Sequence, residues 1–429
     1  MRKPLLVLLG LLACANADAG KVVHTVAAKG YAAFNMAFTG YVFIAGNANR
    51  QSTEDWVNTR VKSAGTFSDL KAYCPVNTDD FTCTVTLRKN GADGNSIVSI
   101  APSTTGLVED TTHSDSVTTD DLVNYEMTGG AGTSGGNPRI SWISSTFAAS
   151  SNTVQFLQAT GSQNFNKNSI RYIPINGGIN HTLSTDEASQ GATFKTAGTL
   201  QNAYIYINQN DRTASVAYTL RKNTADTSIV ITATASTTGA FQDTTHTVAL
   251  VSDDVVNWSI LGDAATDAQV FNIVMAEFVT TDTSFQLING AAAAAGEAIA
   301  ATATYYGCPG AYNSSLSSNN TQGFWQTKSA FSFTALNLSL NVISNASVTD
   351  GALTFAVNGT VTSLSATVTA LTTGVFQDTT HTAAVTSGDT FEYQYVGGTV
   401  ASWNIACSSI VAYTVAASTY ASGQFFSVM

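Results

Sequence analysis

One phrase of ten residues, Thr-Thr-Gly followed by three variable positions and Asp-Thr-Thr-His, occurs at Thr104–His113, Thr237–His246 and Thr372–His381. Its histidines lie 133 and 135 residues apart. Solenoid units repeat every 20–50 residues or so, so this period is that of a whole domain. The flanks recur as well. TVTLRKNG from Thr84, AYTLRKNT from Ala217 and TFAVNGT from Thr354 stand upstream, and Asp120-Asp121, Asp253-Asp254 and Gly388-Asp389 stand downstream. Whatever fold this chain adopts, it must be built three times.

Most segments have the period of a strand. In Ala203–Ile207 the Ala and two Ile fall on one face and two Tyr on the other, and Val85 and Leu87 alternate with Thr84, Thr86 and Arg88. Turn signals separate these segments at short intervals: Asn90-Gly91, Asp93-Gly94, Asn176-Gly177-Gly178 and Asn358-Gly359. The pattern predicts an all-β chain of three tandem jelly-roll or β-sandwich domains, at residues 20–150, 151–281 and 282–429. Ala291–Ala301 is rich in Ala, but its counterparts are not helical, so it reads as a loop or one short turn.

Residues 1–19 read as a leader. Arg2 and Lys3 precede the apolar run Leu5–Leu12, and Ala17-Asp18-Ala19 supplies a small-residue cleavage site. The run is too short to span a bilayer, and no later segment is long enough. Secretion to the outside or cell surface is the expectation; Leu11-Leu12-Ala13-Cys14 also looks like a lipoprotein box. Four cysteines remain, Cys74, Cys83, Cys308 and Cys407, and pairing within each repeat predicts Cys74–Cys83 and Cys308–Cys407 disulfides. Charged residues are 11% of the chain with a net charge of −11. That argues against nucleic acid and against anionic membranes as partners. Copies of itself and surface glycans remain.

Each repeat runs through a Gly-led strand (Gly65-Thr66-Phe67, Gly198-Thr199-Leu200), a Lys-Asn-Gly-like hairpin, an Asp turn and a last strand containing an aromatic residue. This order resembles the C1q/TNF-like jelly roll, and also the tandem β-modules of secreted bacterial and phage-type surface proteins. The first resemblance implies modules that associate as trimers, with both termini near one end. Short joints would then set the repeats side by side as a single-chain trimer, whereas termini at opposite ends would give a rod.

The paired Asp110 and His113, Asp243 and His246, and Asp378 and His381 are the obvious candidates for chemistry. A carboxylate and an imidazole can share a metal or act as acid and base. The alternative is a turn in which Asp and Thr bond nearby backbone N–H groups. In an extended strand positions i and i+3 point to opposite faces, so the turn is preferred and neither metal nor other cofactor is expected. Gly132–Gly136 matches a nucleophile-elbow spacing, but in a Gly-rich loop between strands rather than a strand-to-helix turn. Glu109 is replaced by Gln242 and Gln377, which argues against a required carboxylate. Trp142, Trp258 and Trp403 suit a core better than a sugar platform. The resulting expectation is a non-catalytic structural or adhesive surface protein. A multivalent carbohydrate-binding protein and a secreted hydrolase are the alternatives.

Overall fold

The computed structural model describes residues 18, 20–28, 34–35, 39–48, 50–129, 138–165, 169–178, 183–261, 267–290, 297–311 and 326–414. The leader up to residue 17, Cys14, the Gly132–Gly136 loop and the tail from 415 lie outside them. Two short 3-10 turns aside, the described elements are strands. The Ala-rich stretch, described only from 297, contributes the strand Glu297–Ile299.

In the first repeat one sheet orders Lys21–Ala28, Trp142–Ala149, Gly65–Cys74 and Gly106–Val117, so the opening strand pairs with the closing one. The facing sheet orders Gly40–Val42, Leu122–Thr128, Cys83–Lys89 and Ala92–Ile100. The second repeat reproduces this with Thr153–Phe165, Gln269–Thr280, Gly198–Asn210 and Gly239–Asp243, against Arg171–Pro174, Val255–Leu261, Val216–Lys222 and Ala225–Ala233. In the third, Ser284–Gly290, Trp403–Tyr413, Phe333–Asn345 and Gly374–Val385 face Thr304–Gly307, Thr390–Val396, Gly351–Val357 and Thr360–Val368. Short edge strands complete sheets of five or six, and chain crossovers between two such largely antiparallel layers, each with four principal strands, define a jelly roll; the described residues form three.

Local chemistry fixes the strand ends. The hairpins at Asn90-Gly91 and Asn358-Gly359 have φ of 54° and 78°, and 50° and 72°. Two successive positive φ values are what a two-residue hairpin needs to match strand twist. Gly65 and Gly198 open their strands where a Cβ would strike the closing strand, at 2.5 Å from the Ala148 carbonyl oxygen and 2.4 Å from the Phe278 ring.

The joints comprise residues 150–152 and 281–283. Four Cα steps span at most about 14 Å, so each sandwich begins beside the end of its predecessor. Gly20, both joints and Thr414 meet at one end of the molecule: Gly20 and the joints line a common recess, and the Thr414 N–H donates to the Thr283 carbonyl at 3.2 Å. The repeats then close into a ring, each laying one segment on the next. From the first, Lys62 and Ser63 N–H donate to Glu277 Oε1 at 2.8 and 3.0 Å, and Thr59 Oγ1 accepts from Gln158 at 2.7 Å. From the second, Lys195 N–H donates to Gln286 Oε1 at 2.8 Å, while its Nζ bonds Gln377. From the third, Lys328 Nζ donates to Glu109 at 2.7 Å, and Cys308 and Ala311 cluster with Ala27 and Trp142. This is the side-by-side alternative, not the rod.

The ring buries both faces of the inner strands. Tyr204, on the face opposite Ala203 and Ile205, is 2% exposed and lies under the Arg60 guanidinium, 5.6 Å from its ring centroid. The expected disulfides are not formed, and all four cysteines are buried thiols. Cys308 belongs to the cluster around Trp142, whereas Cys407 lies in the second repeat's core cluster, so the two face different surroundings. Cys74 and Cys83 enter one core from opposite sheets; the Cys74 thiol donates to the Val76 carbonyl at 3.3 Å.

Two outcomes follow from the ring. Small-angle scattering of residues 20–429 should give a radius of gyration near 22 Å, the value for a compact chain of that length; three sandwiches in a row would give well above about 30 Å. Glu277 is fully buried, and its carboxyl also accepts from Asn202 at 2.7 Å and the Ser63 hydroxyl at 2.8 Å. Glu277→Ala strands these donors and should cost about 3 kcal/mol in urea unfolding, with Glu277→Gln costing less.

Candidate functional site

The repeated phrase is not an unbroken strand but carries a bulge. Ser114 pairs with Ser68 and Asp110 with Leu70, so Thr111, Thr112 and His113 are extruded opposite the single residue Asp69. Asp69 takes a left-handed φ of 54° to allow this; Asn202 and Asn337 do the same in the other repeats at 52° and 51°. Asp and Asn tolerate that region best among residues with a Cβ, which accounts for their presence there.

The extrusion folds the histidine back over its aspartate. His113 Nδ1 lies 3.0 Å from Asp110 Oδ2, and the corresponding distances are 2.9 Å for His246–Asp243 and 2.9 Å for His381–Asp378. The expectation that i and i+3 diverge therefore fails, because it assumed an unbroken strand. Each carboxylate is also filled from behind. Asp110 accepts the Ile97 N–H at 3.0 Å from the facing sheet, and the Thr112 and His113 N–H groups at 3.1 Å each from its own bulge. Asp243 accepts from Val230, Thr245 and His246 at 3.1, 3.1 and 3.2 Å; Asp378 from Ser365, Thr380 and His381 at 2.9, 3.0 and 3.1 Å. Each Asp thus staples the two sheets together at their open edge.

Burial alone would push these carboxyls up, but the converging N–H groups and the imidazole outweigh it. Asp243 is held down at about 2, and Asp110 and Asp378 are also held well below the usual carboxylate range. The histidine side chains are about half exposed, 54–57%. Each pair is built within its own sandwich. Among the described residues, no group of three or more His, Cys, Asp or Glu is placed to hold a metal ion.

Glu109, set aside for varying to Gln, turns out to sit on a seam. It receives Lys328 from the third repeat, as Gln377 receives Lys195 from the second. Either side chain can accept that bond, so the Glu/Gln variation was a contact signature rather than evidence of irrelevance. The tryptophans are buried: Trp258 and Trp403 in the second and third cores, and Trp142 on the seam, where it stacks with Tyr73 at 6.2 Å and 13°. Buried Lys71 was not singled out from the sequence, since its surroundings exist only once the first and third repeats meet.

No family model matches this chain, and no curated protein matches it. Among solved structures it is similar to one described as "The Triple Jelly Roll Fold and Turret Assembly in an Archaeal Virus", at 11% identity and TM-score 0.18 over 83% of this chain and 80% of that one. It is also similar to a chain of the Sulfolobus Turreted Icosahedral Virus, at 10% identity and TM-score 0.18 over 83% and 82%. At such TM-scores these likenesses add nothing to what strand pairing already establishes.

The staple has a pH signature. Asp243 titrates near 2 when folded against about 3.9 when unfolded, so its contribution is full above about pH 4 and is lost as the pH falls through 2. Asp243→Asn should cost about 2 kcal/mol at pH 7, and the gap between variant and parent should narrow between pH 4 and 2 in chemical unfolding. A gap independent of pH would remove the staple's electrostatic role.

Proposed function

We propose that this chain is a non-catalytic extracellular structural protein, a building block of a surface layer or appendage. The observation that carries the reading is the use made of its triplicated polar motif. In all three sandwiches the candidate carboxylate is committed to backbone N–H groups of both sheets, so the repeated chemistry holds edges together. A side chain so saturated offers little to a substrate. The export-type leader and the low charge content support an extracellular site of action. The ring supports self-association through its outer faces, since its inner faces are already covered within one chain. The gathering of Gly20, Thr414 and both joints at one end gives such a block a polarity, with both described termini leaving from the same face.

Electron microscopy of the native material released by the producing cell is the test. Filaments or sheets built from three-lobed units are expected. Monodisperse single particles that turn over a polysaccharide would overturn the proposal.

A further inference from the structure

The three seams of the ring differ in chemistry. At the first seam Arg60 covers Tyr204. At the second, Lys195 bonds Gln377, and Ser339 pairs with Ser409 at 3.0 Å. Strand register places Lys71 where the later repeats have Tyr204 and Ser339, each opposite Glu109, Gln242 or Gln377. At the third seam Lys71 therefore faces Lys328, cation toward cation, and the gap filled elsewhere stays open.

Two recesses of about 290 Å³ each flank Lys328. One is lined by Lys71, Asp69, Glu109, Thr111, Ser329 and Ser387. The other has Tyr73 and Trp142 on one wall, with Gln326, Asn358 and Thr390 around them. Lys71 is 2% exposed, yet its nearest carboxylate oxygen, on Glu109, stands 3.9 Å away, beyond hydrogen-bond reach. Glu109 is instead bonded to Lys328 at 2.7 Å. Burying an ammonium is costly, and burial does hold Lys71 below its ordinary value. The aromatic wall is equally particular. The stacked pair Tyr73–Trp142 corresponds by register to Tyr206–Ile273 and Asn341–Cys407.

We propose that the seam between the third and first repeats is a saccharide-binding site, with one sugar ring lying along Tyr73 and the next hydroxyl-rich ring seated between Lys71, Asp69 and Thr111. The ligand class follows from the lining. Aromatic faces attract the C–H faces of pyranose rings. The polar recess balances two ammonium groups against two carboxyls, so a neutral ring, whose hydroxyls both donate and accept, satisfies it. An anion would meet Asp69 and Glu109. The proposal goes beyond the structural role above and differs from a three-site lectin, because it allows one site per chain.

Titration calorimetry of the full chain with short cello-, malto- and chito-oligosaccharides, and with uronic-acid and sialylated oligosaccharides as the acidic arm, tests it. Saturable binding of a neutral saccharide at one site per chain is expected. Lys71→Met should weaken it at least tenfold. So should Thr111→Arg, which fills the recess from an exposed position and leaves the core intact. Thr244→Arg, the matching change in the second repeat, should leave it unaltered. No binding by any neutral saccharide, a stoichiometry of three, or affinity unchanged in both Lys71→Met and Thr111→Arg would overturn the proposal.

Discussion

The three-residue joints at 150–152 and 281–283 are the constraint on which the rest of the molecule depends. A joint that short leaves no freedom to choose a docking surface; it delivers each new sandwich against the flank of the last. Because every repeat starts and finishes at the same end, two such steps bring the third repeat back to the first. Ring closure is thus a consequence of connection length and jelly-roll topology together.

Closure changes what the inner sheets must be. A free sandwich has one wet face per sheet, but here the closing strands Gln269–Thr280 and Trp403–Tyr413 are buried almost throughout. Alongside their apolar side chains, the seams they line also bury polar ones. Gln155 and Gln286 exchange bonds of 2.6 and 3.2 Å, Asn176 donates to the Ile288 carbonyl at 2.6 Å, and Glu277 is fully occupied. Each such bond stabilises only modestly, whereas leaving one partner unmatched costs more. The seams therefore select one register of sandwich on sandwich more than they add stability. At the third seam Lys71 and Lys328 share Glu109, and two recesses flank Lys328.

The Asp-Thr-Thr-His phrase illustrates how identity across repeats is to be interpreted. Its three copies keep the same bonds to within a few tenths of an ångström because all three sandwiches have the same edge to close. The positions that differ between copies, such as Lys71 against Tyr204 and Ser339, sit at seams, and there each copy meets different neighbours.

Period-two alternation, Asn-Gly turns and a triplicated phrase were enough to determine an all-β chain of three jelly rolls, because strand faces and hairpin turns are local properties of the chain. The turn role of Asp110, Asp243 and Asp378 was legible for the same reason. The return of each histidine over its aspartate was not, since a bulge depends on the partner strand, here on Asp69, Asn202 and Asn337. Cysteine pairing also escaped the sequence: membership of one repeat suggested Cys308 with Cys407, but the fold sends them into different clusters. Only the tertiary structure brought Lys328 to Glu109, 219 residues away. Seam contacts arise between surfaces that exist only after each sandwich has folded, and no local pattern in the chain encodes them.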